Sequence, residues 1–365
     1  MRIRLFKAGL VYASGLAVHT ASSGAVARLE EIYLLLEEGG HSGVGEARIN
    51  AAYLNGLQPE ALLGEAERVI GSLPAGLDSR GTLDELAEGS FAASAPLRMM
   101  IDAALRDLDA RRAGVSVAEK IAGSRMLLAA ATNQTLFWCP FEDFRQRALA
   151  YVERGFRDLK VRVGIASFDE DIARLRWLRD TFGAEVEIAV DANGTWPAAD
   201  ALARLERLAA LDIAYAEQPT AAGDWQTIEV LARRSPLPVM LDESLASWSD
   251  VERICSIGGR LEAHVKLLKL GGIGAALKAA RRIQASGVPV MVGQMNEGGA
   301  ATAAALQLAV AISADRAELY GADGLANDPV SGVSYGDGIV RLGGETGLGI
   351  TFDTSNAHQI MEVSL

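Results

Sequence analysis

VEIAVDAN (186–193), IAYAEQP (213–219) and PVMLDES (238–244) are three copies of one pattern: a short apolar run that ends in a carboxylate and a turn. Working outward, the same kind of run recurs at 127–136, 156–163, 186–190, 213–216, 238–241, 263–268, 289–292 and 317–320, each followed by a helical pattern rich in Ala, Leu and Arg. The polar ends, Lys160, Asp191, Glu217, Asp242, Lys266, Gly293 and Gly321, are spaced by 24–31 residues. Eight strand–helix cycles of that period predict a (β/α)8 TIM barrel. An open doubly wound sheet would stop earlier and carry a Gly-rich turn after its first strand. Here the Gly-rich stretch, 271–274, follows the sixth.

Strand ends carry the chemistry of such a barrel, because the active site lies at their carboxyl side. Asp191, Glu217 and Asp242 stand at three neighbouring ends and would repel one another without a cation. Oxygen ligands at three such positions suit Mg2+, one ion per subunit, which keeps other positions for water or substrate. Asn193 and Glu243 stand beside these ligands. Lys160 and Arg162 share one face of the second strand, with Val161 pointing away. Lys266 comes from the sixth strand, across the mouth. A lysine desolvated beside a cation loses its proton near neutral pH and serves as a general base, and this is the role expected of Lys266. For Lys160 the alternative is a salt bridge to a metal carboxylate; for Arg162 it is a tie to a neighbouring acid. Lys269 is expected to anchor Glu243 or a strand end.

Composition bounds the rest. Half of the 365 residues are apolar and 22% are charged, which excludes a disordered chain. Lys plus Arg number 35 against 47 acids, a net charge of −12 with no basic block, so neither nucleic acid nor an anionic membrane is an expected partner. Two cysteines cannot build a disulfide framework, which suits a reducing, cytoplasmic setting. Arg2, Arg4 and Lys7 ahead of 8–18 imitate a secretion signal, but residues 1–5 alternate like a strand. Residues 1–122 read as an α+β capping domain with lid segments 12–23 and 50–56, and 123–325 as the barrel. The tail 326–365 is expected to pack back on the cap.

These pieces together resemble the enolase superfamily, in its muconate-lactonizing-enzyme-like subgroup. GHSGVGEA (40–47) is similar to the family's capping-domain turn and 101–108 to its central helix. The barrel motifs are 160–164, 191–193, 217–219, 242–244 and 266–272, and 347–349 with Asp353 matches the tail. The resemblance implies that Asp191, Glu217 and Asp242 bind Mg2+, which holds a substrate carboxylate while a base removes the α-proton to form a metal-stabilised enediolate. It also implies a homo-oligomer, dimeric or octameric. Two departures matter. The family's Lys-x-Lys reads Lys160-Val161-Arg162 here, and arginine is a poor base but a good carboxylate clamp. The seventh strand carries no histidine, which argues against the mandelate-racemase-like branch. With one effective base the expectation leans toward β-elimination (dehydration) or cycloisomerisation of a small carboxylate; the alternative is a two-base racemase or epimerase of an amino-acid derivative. A Schiff-base aldolase on Lys266 is the remaining enzyme class, and a non-catalytic binding protein the other. Among residues that could meet substrate are His19, Tyr53, Glu297 and Asp323, the acids as partners for an ammonium group.

Overall fold

A computed structural model describes residues 1–13, 18–20, 24–51, 56–73 and 79–364. The chain opens with β1 (Arg2–Leu10), β2 (Val18–Thr20), β3 (Gly24–Val26), β4 (Leu29–Glu38) and β5 (His41–Arg48). Next come β6 (Ala129–Ala131), β7 (Gln134–Leu136), β8 (Asp158–Arg162), β9 (Glu187–Asp191) and β10 (Ile213–Glu217). They are followed by β11 (Val239–Leu241), β12 (Leu261–Lys266), β13 (Val290–Gly293) and β14 (Arg316–Glu318). The tail adds β15 (Val330–Ser331), β16 (Val333–Gly336), β17 (Ile339–Leu342), β18 (Thr351–Phe352) and β19 (His358–Ser364).

β7 to β14 form one sheet of eight parallel strands in chain order. The first and last strands approach where the Asn133 N–H reaches the Ala317 carbonyl at 3.3 Å and the Leu319 N–H reaches Thr132 Oγ1 at 2.8 Å. The TIM-barrel expectation is met. The helix Gly299–Ala311 is apolar nearly all round because it is buried nearly all round, between the barrel and the cap. Among the described residues no helix is long and apolar enough to cross a membrane.

The cap sheet runs β19-β1-β4-β5 and buries both faces. Ile3, Leu5, Ile32, Leu34 and Leu36 pack on the cap helices Pro59–Gly71 and Ala95–Ala113, while Phe6, Tyr33, Leu35 and Val44 belong to the barrel's core. That explains the unbroken Leu34-Leu35-Leu36, where a one-sided strand would alternate. Gly43 and Gly45 let the helix Ala95–Ala113 lie directly on β5: a Cβ on Gly43 would stand 2.2 Å from the Ala104 carbonyl oxygen, and one on Gly45 1.9 Å from that of Met100. The same helix bolts cap to barrel. Its buried Asp102 accepts from the Ile273 N–H at 2.7 Å and pairs with Arg106, while Asp107 accepts from Val44 and Leu348.

Two differences from the sequence reading are local in origin. The run 127–136 is two strands, since β6 leaves the barrel to pair with β17 and only β7 enters it. The tail also divides. β19 pairs with β1 of the cap, whereas the hairpin β16–β17 extends β6 at the amino-terminal side of the barrel, where Gly155 and Gly338 allow close backbone approach.

Candidate active site

The strand ends converge as the spacing requires. In the parallel register Arg162 sits beside Asp191, and Asp191 beside Glu217; Asp242 follows directly after β11. Lys160, Asp191, Glu217 and Glu318 are completely or almost completely buried, as is Lys266. Lys160 Nζ lies 2.8 Å from Glu217 Oε2 and 3.6 Å from Asp191 Oδ2, and it also contacts Glu318. Arg162 is ion-paired with Asp191 and lies 3.2 Å from Asn193 Oδ1. Across the barrel Lys266 Nζ is 2.8 Å from Asp242 Oδ2 and 3.8 Å from Glu318 Oε1. Lys269 Nζ reaches Asp242 Oδ1 at 2.6 Å. Asp191, Glu217, Asp242 and Glu318 thus face Lys160, Arg162, Lys266 and Lys269, the neutralisation that burial demands.

Burial opposes the charged form of each group, and the partners overrule it. Burial raises the carboxyls of Glu217 and Asp242, yet Lys160 and His264 pull the first well below its usual range and Lys266 and Lys269 do the same for the second. Glu318 is likewise lowered, chiefly by Lys160 against burial. Burial lowers Lys266, but Asp242, Glu318 and Glu217 hold its ammonium above its ordinary value. Three carboxylates thus outweigh the apolar frame around Lys266. Arg162 is raised as well, against burial, by Tyr320, Glu318 and Glu217, and stays charged.

The remaining expectations fall out unevenly. Asn193 donates its side-chain amide to Glu243 Oε1 at 3.1 Å and its backbone N–H to Asp191 Oδ1 at 2.9 Å. Lys269 anchors a strand end, Asp242 after β11, which is one of its two expected roles; Glu243 is not its partner. Glu297 is buried just past β13, with the Met295 N–H on Oε2 at 2.8 Å and, among the described residues, no partner on Oε1. Asp323 is not open to an ammonium. Arg154 Nη2 takes both its oxygens at 2.8 Å and Gln134 donates to Oδ2 at 2.6 Å. Tyr53 and the His19 side chain lie outside the described residues.

Three residues went unforeseen. Glu318 is an acid inside an apolar strand, a signal that was present in 317–320. His264 lies two residues before Lys266 and so on the same face of β12; its Nδ1 is 2.9 Å from Glu217 Oε1, and burial followed by Lys266 lowers its pKa, leaving a neutral ring that donates there. Gln294, just after β13, is buried, and among the described residues both its side-chain amide atoms are unpartnered.

The donor set suits a hard divalent cation. Asp191, Glu217 and Asp242 offer only oxygens, and Glu243 Oε2 beside them is buried without a partner. Among the described residues the ligand-type atoms within 4.8 Å of one another belong instead to Glu217, His264 and Glu318. That tighter group has Lys160 bridging its two carboxylates, whereas the expected trio is spread by Lys160 between Asp191 and Glu217 and by Lys266 on Asp242.

Residues 143–356 match the Enolase C-terminal domain-like family. The chain is 32% identical over 276 residues to an L-Ala-D/L-Glu epimerase of Clostridium acetobutylicum, covering 73% of this chain and 74% of that protein. It is 28% identical over 221 residues to an N-succinyl-L-Arg/Lys racemase of Bacillus cereus, a match spanning 60% of this chain and 59% of that relative's length. A dipeptide epimerase from Enterococcus faecalis, crystallised with Mg and the dipeptide L-Leu-L-Tyr, superposes with a TM-score of 0.87 at 26% identity over 96% of this chain and 99% of that one.

Proposed function

The chain belongs to the Enolase C-terminal domain-like family, and from that premise we propose that it is a Mg2+-dependent racemase or epimerase acting at the carbon α to a carboxylate, with Lys160 and Lys266 as its two proton-transferring groups. The observation that carries this reading is Glu318. Lys160 from β8 and Lys266 from β12, four strands apart in the eight-stranded barrel, approach that one carboxylate. A substrate carbon held between them is open to an amine on one side and an ammonium on the other, which inversion requires. The relatives named above are racemases and epimerases, and this favours the two-base alternative over elimination or cycloisomerisation.

Asp191, Glu217 and Asp242 would hold the cation, with Asn193 and Glu243 orienting them. When bound, such an ion supplies positive charge to a substrate carboxylate and to the electron density that develops when the α-proton leaves. Arg162, charged under all working conditions, fixes Asp191 and rests on the Phe137 ring with 5.8 Å from Cζ to the ring centre. Burial lowers the Lys266 pKa and Asp242, Glu318 and Glu217 raise it, so its protonation depends on the charge those carboxylates carry.

The test is α-proton exchange in D2O with Mg2+, using enantiomerically pure N-substituted amino acids and dipeptides. Both antipodes of one substrate class should exchange and interconvert. Exchange with release of water or ring closure, and no antipode, would instead mark elimination or cycloisomerisation.

A further inference from the structure

Lys160, Glu217, His264 and Glu318, one each from β8, β10, β12 and β14, form a single layer of side chains across the barrel interior. Alternate strands of a closed barrel contribute such layers. Lys160, Glu217 and Glu318 carry charges that the proposed reaction uses. His264 is the member it leaves idle, although the ring is wholly buried at the centre of the site.

Contacts on two sides fix that ring. Nδ1 lies 2.9 Å from Glu217 Oε1, while Lys160 Nζ takes the other oxygen, Oε2, at 2.8 Å. Nε2 is buried and, among the described residues, has no hydrogen-bond partner. It points at Gly293, which pairs in register with Lys266 and Glu318 at the end of β13. A Cβ on Gly293 would stand 2.0 Å from Nε2 and 3.0 Å from both Cδ2 and Cε1, so the apex of the ring is aimed straight at the place a side chain would fill. Gly293 is not among the residues with positive φ, so space and not backbone conformation requires glycine there. An ionised carboxylate only accepts, so the nitrogen facing Glu217 is the protonated one. A half-turn of the ring about Cβ–Cγ would put a carbon against Oε1 and lose that bond.

We propose that His264, seated on Gly293, is the positioning residue of Glu217: its Nδ1–H holds Oε1, and Oε2 is thereby left to Lys160 and to the cation. This rests on the reading of Glu217 as a cation ligand. It also gives Gly293, which has no side chain of its own, a measurable part in cation affinity.

The experiment measures Mg2+ affinity by calorimetry without substrate, follows unfolding temperature, and observes the imidazole nitrogens by NMR, with the His264 signals assigned by their loss in His264→Asn. His264→Leu, which lacks a donor, should weaken Mg2+ binding roughly 10- to 100-fold. His264→Asn, whose amide N–H stands in for Nδ1–H, should recover most of that loss. Gly293→Ala should weaken binding and lower the unfolding temperature by driving the ring off Glu217. The same change in a His264→Ala background, where the space is open, should add little to either effect. The wild-type spectrum should show a ring protonated at Nδ1 and bare at Nε2, and Gly293→Ala should shift the Nδ1 signal. Wild-type affinity in His264→Leu, an equal cost of Gly293→Ala with and without His264, or a ring protonated at Nε2 alone overturns the proposal. Should the wild type bind no Mg2+, the cation reading of Glu217 falls, and the ring spectrum with the two melting comparisons still decides whether His264 is seated on Gly293 and holds Glu217.

Discussion

Glu297 gives a prediction with a calculable size. Burial pushes its carboxyl from the ordinary 4.5 to about 7, opposed by the Met295 N–H and by Arg48 and Lys266. Among the described residues Oε1 has no partner, and the buried acids Glu31 and Glu46 and the half-buried Asp328 stand at the same joint between cap and barrel, all raised, Asp328 to about 6. The folded chain therefore holds this proton more tightly than the unfolded chain does. Stability attributable to Glu297 is fully present below about pH 4.5, declines as pH rises toward about 7, and is then constant. The difference corresponds to about 3 kcal/mol at neutral pH and above. Glu297→Gln keeps the shape and never ionises. The variant should gain up to that amount at about pH 8 and nothing at about pH 4.5, a rise of roughly 4 °C in unfolding temperature for a chain of this size. Circular dichroism melts across that range, without substrate, read both the gain and the flattened pH slope. Parallel pH profiles for wild type and variant would refute the claim that Glu297 is buried without an adequate partner.

Other perturbations bear on the site and its frame. Lys266→Ala should cost at least ~10² in exchange rate from its own face while leaving Mg2+ affinity measurable by calorimetry; full retention of exchange would remove Lys266 from the mechanism. Asp191→Asn, Glu217→Gln and Asp242→Asn should each abolish calorimetric Mg2+ binding together with exchange, and tight binding in Asp191→Asn or Asp242→Asn with loss only in Glu217→Gln would point to the Glu217–His264–Glu318 group instead. Gly45→Ala should destabilise the fold by about 1–3 kcal/mol or more because its new carbon meets the Met100 carbonyl. Gly64→Ala, in the helix Pro59–Gly71 with open space around it, should stabilise by roughly 0.5–1 kcal/mol.

Barrel architecture was legible because the second to eighth strands end in a charged or small residue at a nearly constant interval, a local signal repeated seven times. The site followed from it: side chains at Lys160, Asp191, Glu217, Asp242 and Lys266 must share a mouth once the strands are parallel. What escaped depends on contacts that no local pattern encodes. Lys266 meets Glu318, besides Asp242, only because Glu318 arrives from a strand two positions away in the sheet. Asp323 looks available until the helix after β7 brings Arg154 onto it. The hairpin β16–β17 chose β6 over the cap through a backbone approach at Gly155 and Gly338 that composition does not announce. His264 was the avoidable omission, since strand alternation already placed it beside Lys266.

Glu318 has a consequence for how protons are shared. It faces Lys160 and Lys266 at once, so one negative charge is shared between side chains that arrive from opposite parts of the barrel. A shared anion favours neither side, and in the proposed two-base reaction it makes the two lysines alternative partners of one carboxylate. Replacing Glu318 with Gln should remove that common partner and slow the two antipodes unequally, because Lys160 keeps Glu217 while Lys266 keeps Asp242.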